Sequence, residues 1–101
     1  MGNRLELHEK FIKILGSSNV YFQPPENLKL KYPCIMYKRG KEYTIFADNK
    51  LYMDKKRYIV TVIDYDPDSI ILDKIKKLPM CTHDTHYTSD GLNHDVYILY
   101  Y

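Results

Sequence analysis

Two segments of this chain carry apolar side chains on both faces of an extended strand, and this feature restricts the fold most. In residues 57–65 one face is Tyr58, Val60 and Val62, and the other is Ile59, Thr61 and Ile63. In the last eight residues the faces are Val96, Ile98 and Tyr100 against Tyr97, Leu99 and Tyr101. Strands of this kind normally lie in a sheet that is covered on both sides. A chain of 101 residues must therefore cover two sheet faces.

The pattern predicts only two helices. In residues 4–16 apolar side chains including Leu7 and Phe11 recur at helical spacing, with Asn3 as the N-cap and Gly16 as the stop. The second helix is predicted to begin at Asp66-Pro67-Asp68-Ser69, with Asp66 as the cap, and to end before Pro79.

The remaining segments read as strands. A short strand at 19–23 precedes Pro24-Pro25, and residues 33–38 and 42–46 are predicted to form a hairpin around Gly40. Two further strands, near 80–88 and 94–101, flank a turn. We predict a single domain over residues 1–101, of the α+β class, in the order α-β-β-β-β-α-β-β. Its mostly antiparallel sheet carries both helices on one face.

Two short helices leave the second sheet face without cover. Large exposed apolar surfaces mark interfaces, so we expect a second subunit there. The side chains assigned to this contact are Ile59, Ile63, Tyr97, Leu99 and Tyr101, or the side chains on the opposite faces of the same strands. The high tyrosine content, 11 residues, fits such a contact, because tyrosine has an apolar body and a polar tip. The alternative is that the sheet curls into a small barrel and covers itself.

Several functional classes are disfavoured. No apolar run approaches the ~20 residues of a membrane span, and two cysteines indicate synthesis in a reducing cytoplasm rather than a disulfide-rich domain. The chain has no nucleophile elbow and no glycine-rich phosphate loop, and helix capping explains Asp66 and Asp68. We expect no enzymatic activity, no cofactor and no membrane partner.

Metal binding is one alternative, because Cys81, His83, His86 and His94 lie close together in sequence. In a regular strand His83 and His86 point to opposite faces, so only a turn or bulge would join them. We expect no metal site.

Nucleic-acid binding is another alternative, because Lys55-Lys56-Arg57-Tyr58 interleaves positive charge with an aromatic ring. The net charge is only +2, however, and the chain lacks an RNA-recognition signature. We expect no specific nucleic-acid partner.

The second half of the chain resembles the tail terminator or tail completion proteins of long-tailed bacteriophages. The resemblance lies in Lys56-Arg57-Tyr58-Ile59-Val60-Thr61-Val62-Ile63-Asp64, Asp66-Pro67-Asp68-Ser69, Asp73-Lys74-Ile75, His86-Tyr87-Thr88 and Leu92-Asn93-His94-Asp95. The predicted order of helices and strands also resembles the tail-terminator fold.

The resemblance implies a non-enzymatic virion protein of the phage tail and neck, assembled in the host bacterial cytoplasm. Such proteins form a homo-oligomer, here expected to be a hexameric ring, that ends tail-tube growth and joins the tail to the head. Its partners would be the major tail tube protein and the head connector or stopper protein, with DNA passing through the ring.

By analogy, the loops at 47–57 and 88–95 would reach those partners. The corresponding residues are Asp48, Lys50, Asp54, Lys55, Lys56, Arg57, Asp90 and Asn93. Two alternative functions remain open: a stopper or adaptor protein of the phage neck, and a small phage-encoded nucleic-acid- or metal-binding protein.

Overall fold

The computed structural model describes residues 3–41, 46–47, 50–51 and 56–101. Two helices, α1 (Arg4–Leu15) and α2 (Ile70–Ile75), accompany a five-stranded sheet. The strands of this sheet are β1 (Val20–Phe22), β2 (Cys34–Arg39), β5 (Arg57–Asp64), β6 (Cys81–Ser89) and β7 (Leu92–Tyr100). A separate pair, β3 (Phe46–Ala47) and β4 (Lys50–Leu51), forms its own two-stranded sheet.

The five strands lie in the order β1-β2-β5-β7-β6. β1 runs parallel to β2, and every other neighbouring pair is antiparallel. The prediction of an α+β fold with a mostly antiparallel sheet is therefore confirmed. The predicted order α-β-β-β-β-α-β-β was wrong in one respect: the described residues between the helices form five strands, because the short pair β3 and β4 takes the place of one predicted strand. β1 and β6 are the two edges of an open sheet, so these five strands do not close into the barrel that was the alternative.

Both helices pack on one face of the sheet, as predicted. Leu7 and Phe11 of α1 and Ile71 and Ile75 of α2 share one buried cluster with side chains from the sheet. We call this side the helix face; its strand residues are Ile35, Tyr37, Tyr58, Val60, Val62, Tyr97 and Leu99. The opposite side, the second face, carries Cys34, Met36, Ile59, Thr61, Ile63, Val96 and Ile98.

The ends of α1 agree with the prediction. The Asn3 side chain accepts a hydrogen bond from the Glu6 amide at 2.9 Å and so caps the first turn. Gly16 has φ +78°, the left-handed conformation in which glycine ends a helix without steric strain.

α2 begins later than predicted. The side chains of Asp64 and Asp66 each accept a hydrogen bond from the backbone amide two residues ahead, at 3.1 and 2.9 Å. These contacts form turns before the helix. The N-cap is Ser69, whose hydroxyl accepts from the Ile71 amide at 3.3 Å, so the assignment of Asp66 as the cap was wrong.

The predicted hairpin of residues 33–38 with 42–46 is also wrong. β2 pairs with β5 on one side and β1 on the other, which leaves no free edge for a hairpin partner. This pairing places Ile35 and Tyr37 opposite Val62 and Val60 and buries all four. Residues 42–45 lie outside the described residues.

β6 and β7 form the predicted hairpin with slightly different limits. Asp90 and Gly91, the two turn residues, have φ +52° and +75°. Positive φ at both central positions is the requirement of a type I′ turn, which matches the twist of the strands.

The assignment of Ile59, Ile63, Tyr97 and Leu99 to one uncovered face was wrong. Residues that lie directly opposite each other on antiparallel strands point to the same face. Tyr97 pairs with Val60 and Ile59 pairs with Ile98, so these two predicted interface residues point to opposite faces. Tyr97 and Leu99 lie under the helices, 3% and 1% exposed, and belong to the core.

The two leucines near the start of α1 provide a matched test of this packing. Leu7 is fully buried and Leu5 is 68% exposed. We expect Leu7→Ala to lower the free energy of unfolding by about 2–5 kcal/mol, because it leaves a cavity in the core. Leu5→Ala should change it by no more than about 0.5 kcal/mol. Urea denaturation measures both, and equal effects would contradict the assigned helix face.

His8 makes the stability depend on pH. Burial, with a further contribution from the Arg4 charge, lowers the pKa of His8. The unfolded chain therefore binds a proton at His8 more readily than the folded chain does. As the pH falls below about 6.5, this difference lowers the free energy of unfolding. We expect His8→Gln to reduce the difference between the urea midpoints at pH 7 and pH 5. Ser18→Gln, at an exposed residue that does not titrate, is the control and should keep the full difference.

Candidate assembly surface

One corner of the second face is covered by the chain itself. Leu30 and Tyr32, from the segment between β1 and β2, pack against Cys34, Ile63 and Leu92. Ile63 is 2% exposed as a result. This predicted interface residue therefore contributes to an internal cluster, and the uncovered part of the second face lies elsewhere.

Another part of the second face forms a shallow groove of about 570 Å³. Ile59, Thr61, Val96 and Met36 contribute to its lining from the sheet, while Gln23 and Pro24 line it from the segment that follows β1. Lys38 and Arg39 add positive charge, and the exposed Tyr87 lines it from β6. A floor that contains apolar side chains and a border that carries charge are suited to another protein surface.

Gln23 helps to fix the shape of this groove. It has φ +45°, and its side-chain oxygen accepts a hydrogen bond from the Arg39 amide at 3.2 Å. Its own amide donates to the Tyr37 carbonyl at 2.9 Å. The turn after β1 is thereby held against β2, and Pro24 stays beside the groove.

The aromatic residues divide between the core and the surface. Tyr37 contacts the rings of Phe11, Phe22 and Tyr58 with centroid separations of 5.0–6.0 Å. Tyr58 is only 2% exposed, so its ring cannot stack on a base as the nucleic-acid alternative required. Tyr65 and Tyr87 are exposed and available to a partner.

Tyr101 is tied to α1. Its hydroxyl donates to the Glu6 carboxylate at 2.7 Å, and the Lys10 ammonium lies 4.9 Å from its ring centroid. Its backbone amide donates to the Lys56 carbonyl at 2.9 Å. This predicted interface residue joins the end of the chain to the first helix.

The charged residues expected to reach partners have different surroundings. Lys56 is exposed, whereas Arg57 is half-buried and donates to the Lys41 carbonyl at 3.3 Å. Asp90 is exposed in the β6–β7 turn, and the Asn93 side-chain amide donates to the Tyr65 carbonyl at 3.3 Å. Asp48, Asp54 and Lys55 lie outside the described residues, and Lys50 is described only as a backbone position in β4.

The two histidines of β6 share a face because the strand contains a bulge, the exception to regular alternation that the sequence left open. The pairing register shifts between His83 and Thr85, so Asp84 is an extra residue in the strand. His83 and His86 therefore both lie on the helix face, where His83 Nε2 is 3.1 Å from an Asp95 carboxylate oxygen. His86 Nε2 is 3.2 Å from the Asn93 side-chain oxygen.

The two histidine contacts do not amount to a metal-binding cluster. Within the described ranges, no group of three or more histidine, cysteine or acidic side chains is arranged to hold a metal ion. In the same part of the chain, neither helix has the length and hydropathy of a membrane span.

Comparison with models of known protein families, with curated proteins and with solved structures finds no match to this chain.

The two thiols should react slowly. Burial raises the pKa of Cys34 to about 12 and that of Cys81 to about 11. Only the thiolate is nucleophilic, so at pH 8 we expect Cys81 to react with iodoacetamide roughly a hundredfold more slowly in the folded protein than in urea. Mass spectrometry over time measures both thiols. Rapid alkylation of folded Cys81 at neutral pH would contradict this and indicate an activated nucleophile.

Proposed function

We propose that this protein is a non-enzymatic structural subunit of a bacteriophage virion, of the tail terminator or tail completion type. Its copies would form a ring, hexameric by the resemblance, at the head-proximal end of the tail. The ring ends growth of the tail tube and joins the tail to the head connector. The observation that supports this proposal most is the groove on the second face, which the chain's own helices do not cover.

The fold supports the same function. The resemblance implied an N-terminal helix, a run of strands, a second helix and a return to the sheet, and the α+β structure has this order. We propose that the five-stranded sheet with two helices is a tail-terminator fold.

A closed ring of identical copies requires two different surfaces on each copy, because neighbours meet head to tail. The groove is one such surface. The other is the outer side of the helix layer, where Leu5 and Ile70 are 68% and 66% exposed. We propose that the helix layer of one copy docks on the groove of the next.

The proposal is tested with tail tubes polymerised from the major tail protein of the same phage. Electron microscopy should show the purified protein bound at one end of each tube, and its addition should stop further growth. Unmodified protein that fails to bind tube ends would contradict the terminator function. Binding to the head connector but not to tubes would instead support the neck stopper.

Two substitutions test the head-to-tail interface. Ile70→Glu alters the helix layer at the exposed first residue of α2, and Ile59→Glu alters the groove floor. We expect each to abolish ring formation at tube ends, because a charge replaces an apolar contact. Ser18→Glu, exposed in the α1–β1 connection, is the control and should leave ring formation unchanged.

Mixing the two defective variants separates interface loss from misfolding. The intact groove of the Ile70→Glu variant can still accept the intact helix layer of the Ile59→Glu variant. One such contact joins two copies but cannot close a ring. Complexes larger than those of either variant alone, but no rings, are the expected result, and their absence would show that these surfaces do not meet.

A further inference from the structure

The outward edge of β6 is a second unpartnered feature of the sheet. β6 pairs with β7 on one side, and in the described part of the chain no strand lies on its other side. The strand is nine residues long, and every residue from Thr82 to Ser89 is exposed. Such an edge presents a row of backbone donors and acceptors that can pair with another strand.

β6 carries few of the features that discourage edge pairing. It contains no proline and no lysine, and its protection is limited to the bulge at Asp84 and the charge of that residue. Its threonine, tyrosine and histidine residues are exposed, although His83 and His86 also contact Asp95 and Asn93 of β7. An edge of this length that remains uncovered is suited to an extended partner.

The lengths of the two sheet edges favour a second β6 as that partner. The other edge strand, β1, has only three residues, so a contact between β6 and β1 of another copy would leave most of β6 unpaired. Two copies of β6 that run antiparallel would pair along nearly their whole length.

We propose that β6 pairs with β6 of a second copy about a two-fold axis that passes beside Thr85. With Asp84 as the extra residue, Thr82 then lies opposite Tyr87 of the other copy, and His83 lies opposite His86. Each of these pairs shares a face, because Thr82 and Tyr87 are on the second face and both histidines are on the helix face. Thr85 meets Thr85 on the second face, and threonine pairs stabilise antiparallel sheets.

This inference goes beyond the proposed ring. In a single closed ring all copies are related by rotation about one axis, whereas a β6 pair is related by its own two-fold axis. The pair therefore belongs to the free protein, where it covers the edge before assembly. It must separate, or remain outside the ring contacts, when the ring closes.

Two variants that place opposite charges at Thr85 test the pairing. Sedimentation equilibrium of the full chain, without tail tubes, should show a concentration-dependent dimer. Thr85→Lys places two like charges directly opposite each other and should weaken the dimer by at least about fivefold. Thr85→Glu should do the same, and a one-to-one mixture of the two variants should restore dimers. Recovery in the mixture also shows that both variants are folded.

Ser18→Lys introduces the same charge away from β6 and should not change the dimer. A monomer at all accessible concentrations would overturn the inference, and so would a dimer that Thr85→Lys does not weaken. Neither result bears on binding to tube ends, which the Thr85 variants should retain. Loss of tube binding by unmodified protein would contradict the proposed function and leave the β6 pair unaffected.

Discussion

The buried side chain of Tyr37 holds the helix layer and the sheet together. Its ring packs against Phe11 of α1, Phe22 of β1 and Tyr58 of β5. Tyr37 is only 1% exposed, and its hydroxyl lies 2.7 Å from His8 Nδ1 of α1, so this buried polar group has a hydrogen-bond partner. A buried hydroxyl without a partner would cost roughly 1–3 kcal/mol, and the contact therefore fixes where α1 crosses the sheet.

The position of α1 decides which face of the sheet remains accessible. Both helices pack on the helix face, and among the described residues the segment between β1 and β2 covers one corner of the second face. The groove beside that corner is the consequence. The assembly function proposed for this protein rests on this groove.

Local signals in the sequence predicted much of the fold. The Asn3 cap, the Gly16 stop and the apolar spacing of Leu7 and Phe11 determine α1, because each acts within a few residues. The same holds for the central strand β5. The cap of α2 was missed although it is local, because Asp64 and Asp66 accept turn hydrogen bonds and Ser69 is left as the cap. The hairpin prediction failed because β2 pairs with β5, which is distant in the chain.

The sequence by itself determined that this chain has strands with two apolar faces and too few helices to cover both. That conclusion follows from side-chain alternation alone. Only the tertiary structure decided which residues lie on which face, because strand register depends on pairing between segments far apart in the chain. Register placed Tyr97 and Leu99 in the core with Tyr58, left Ile59 in the groove, and, through one extra residue at Asp84, brought His83 and His86 to the same side.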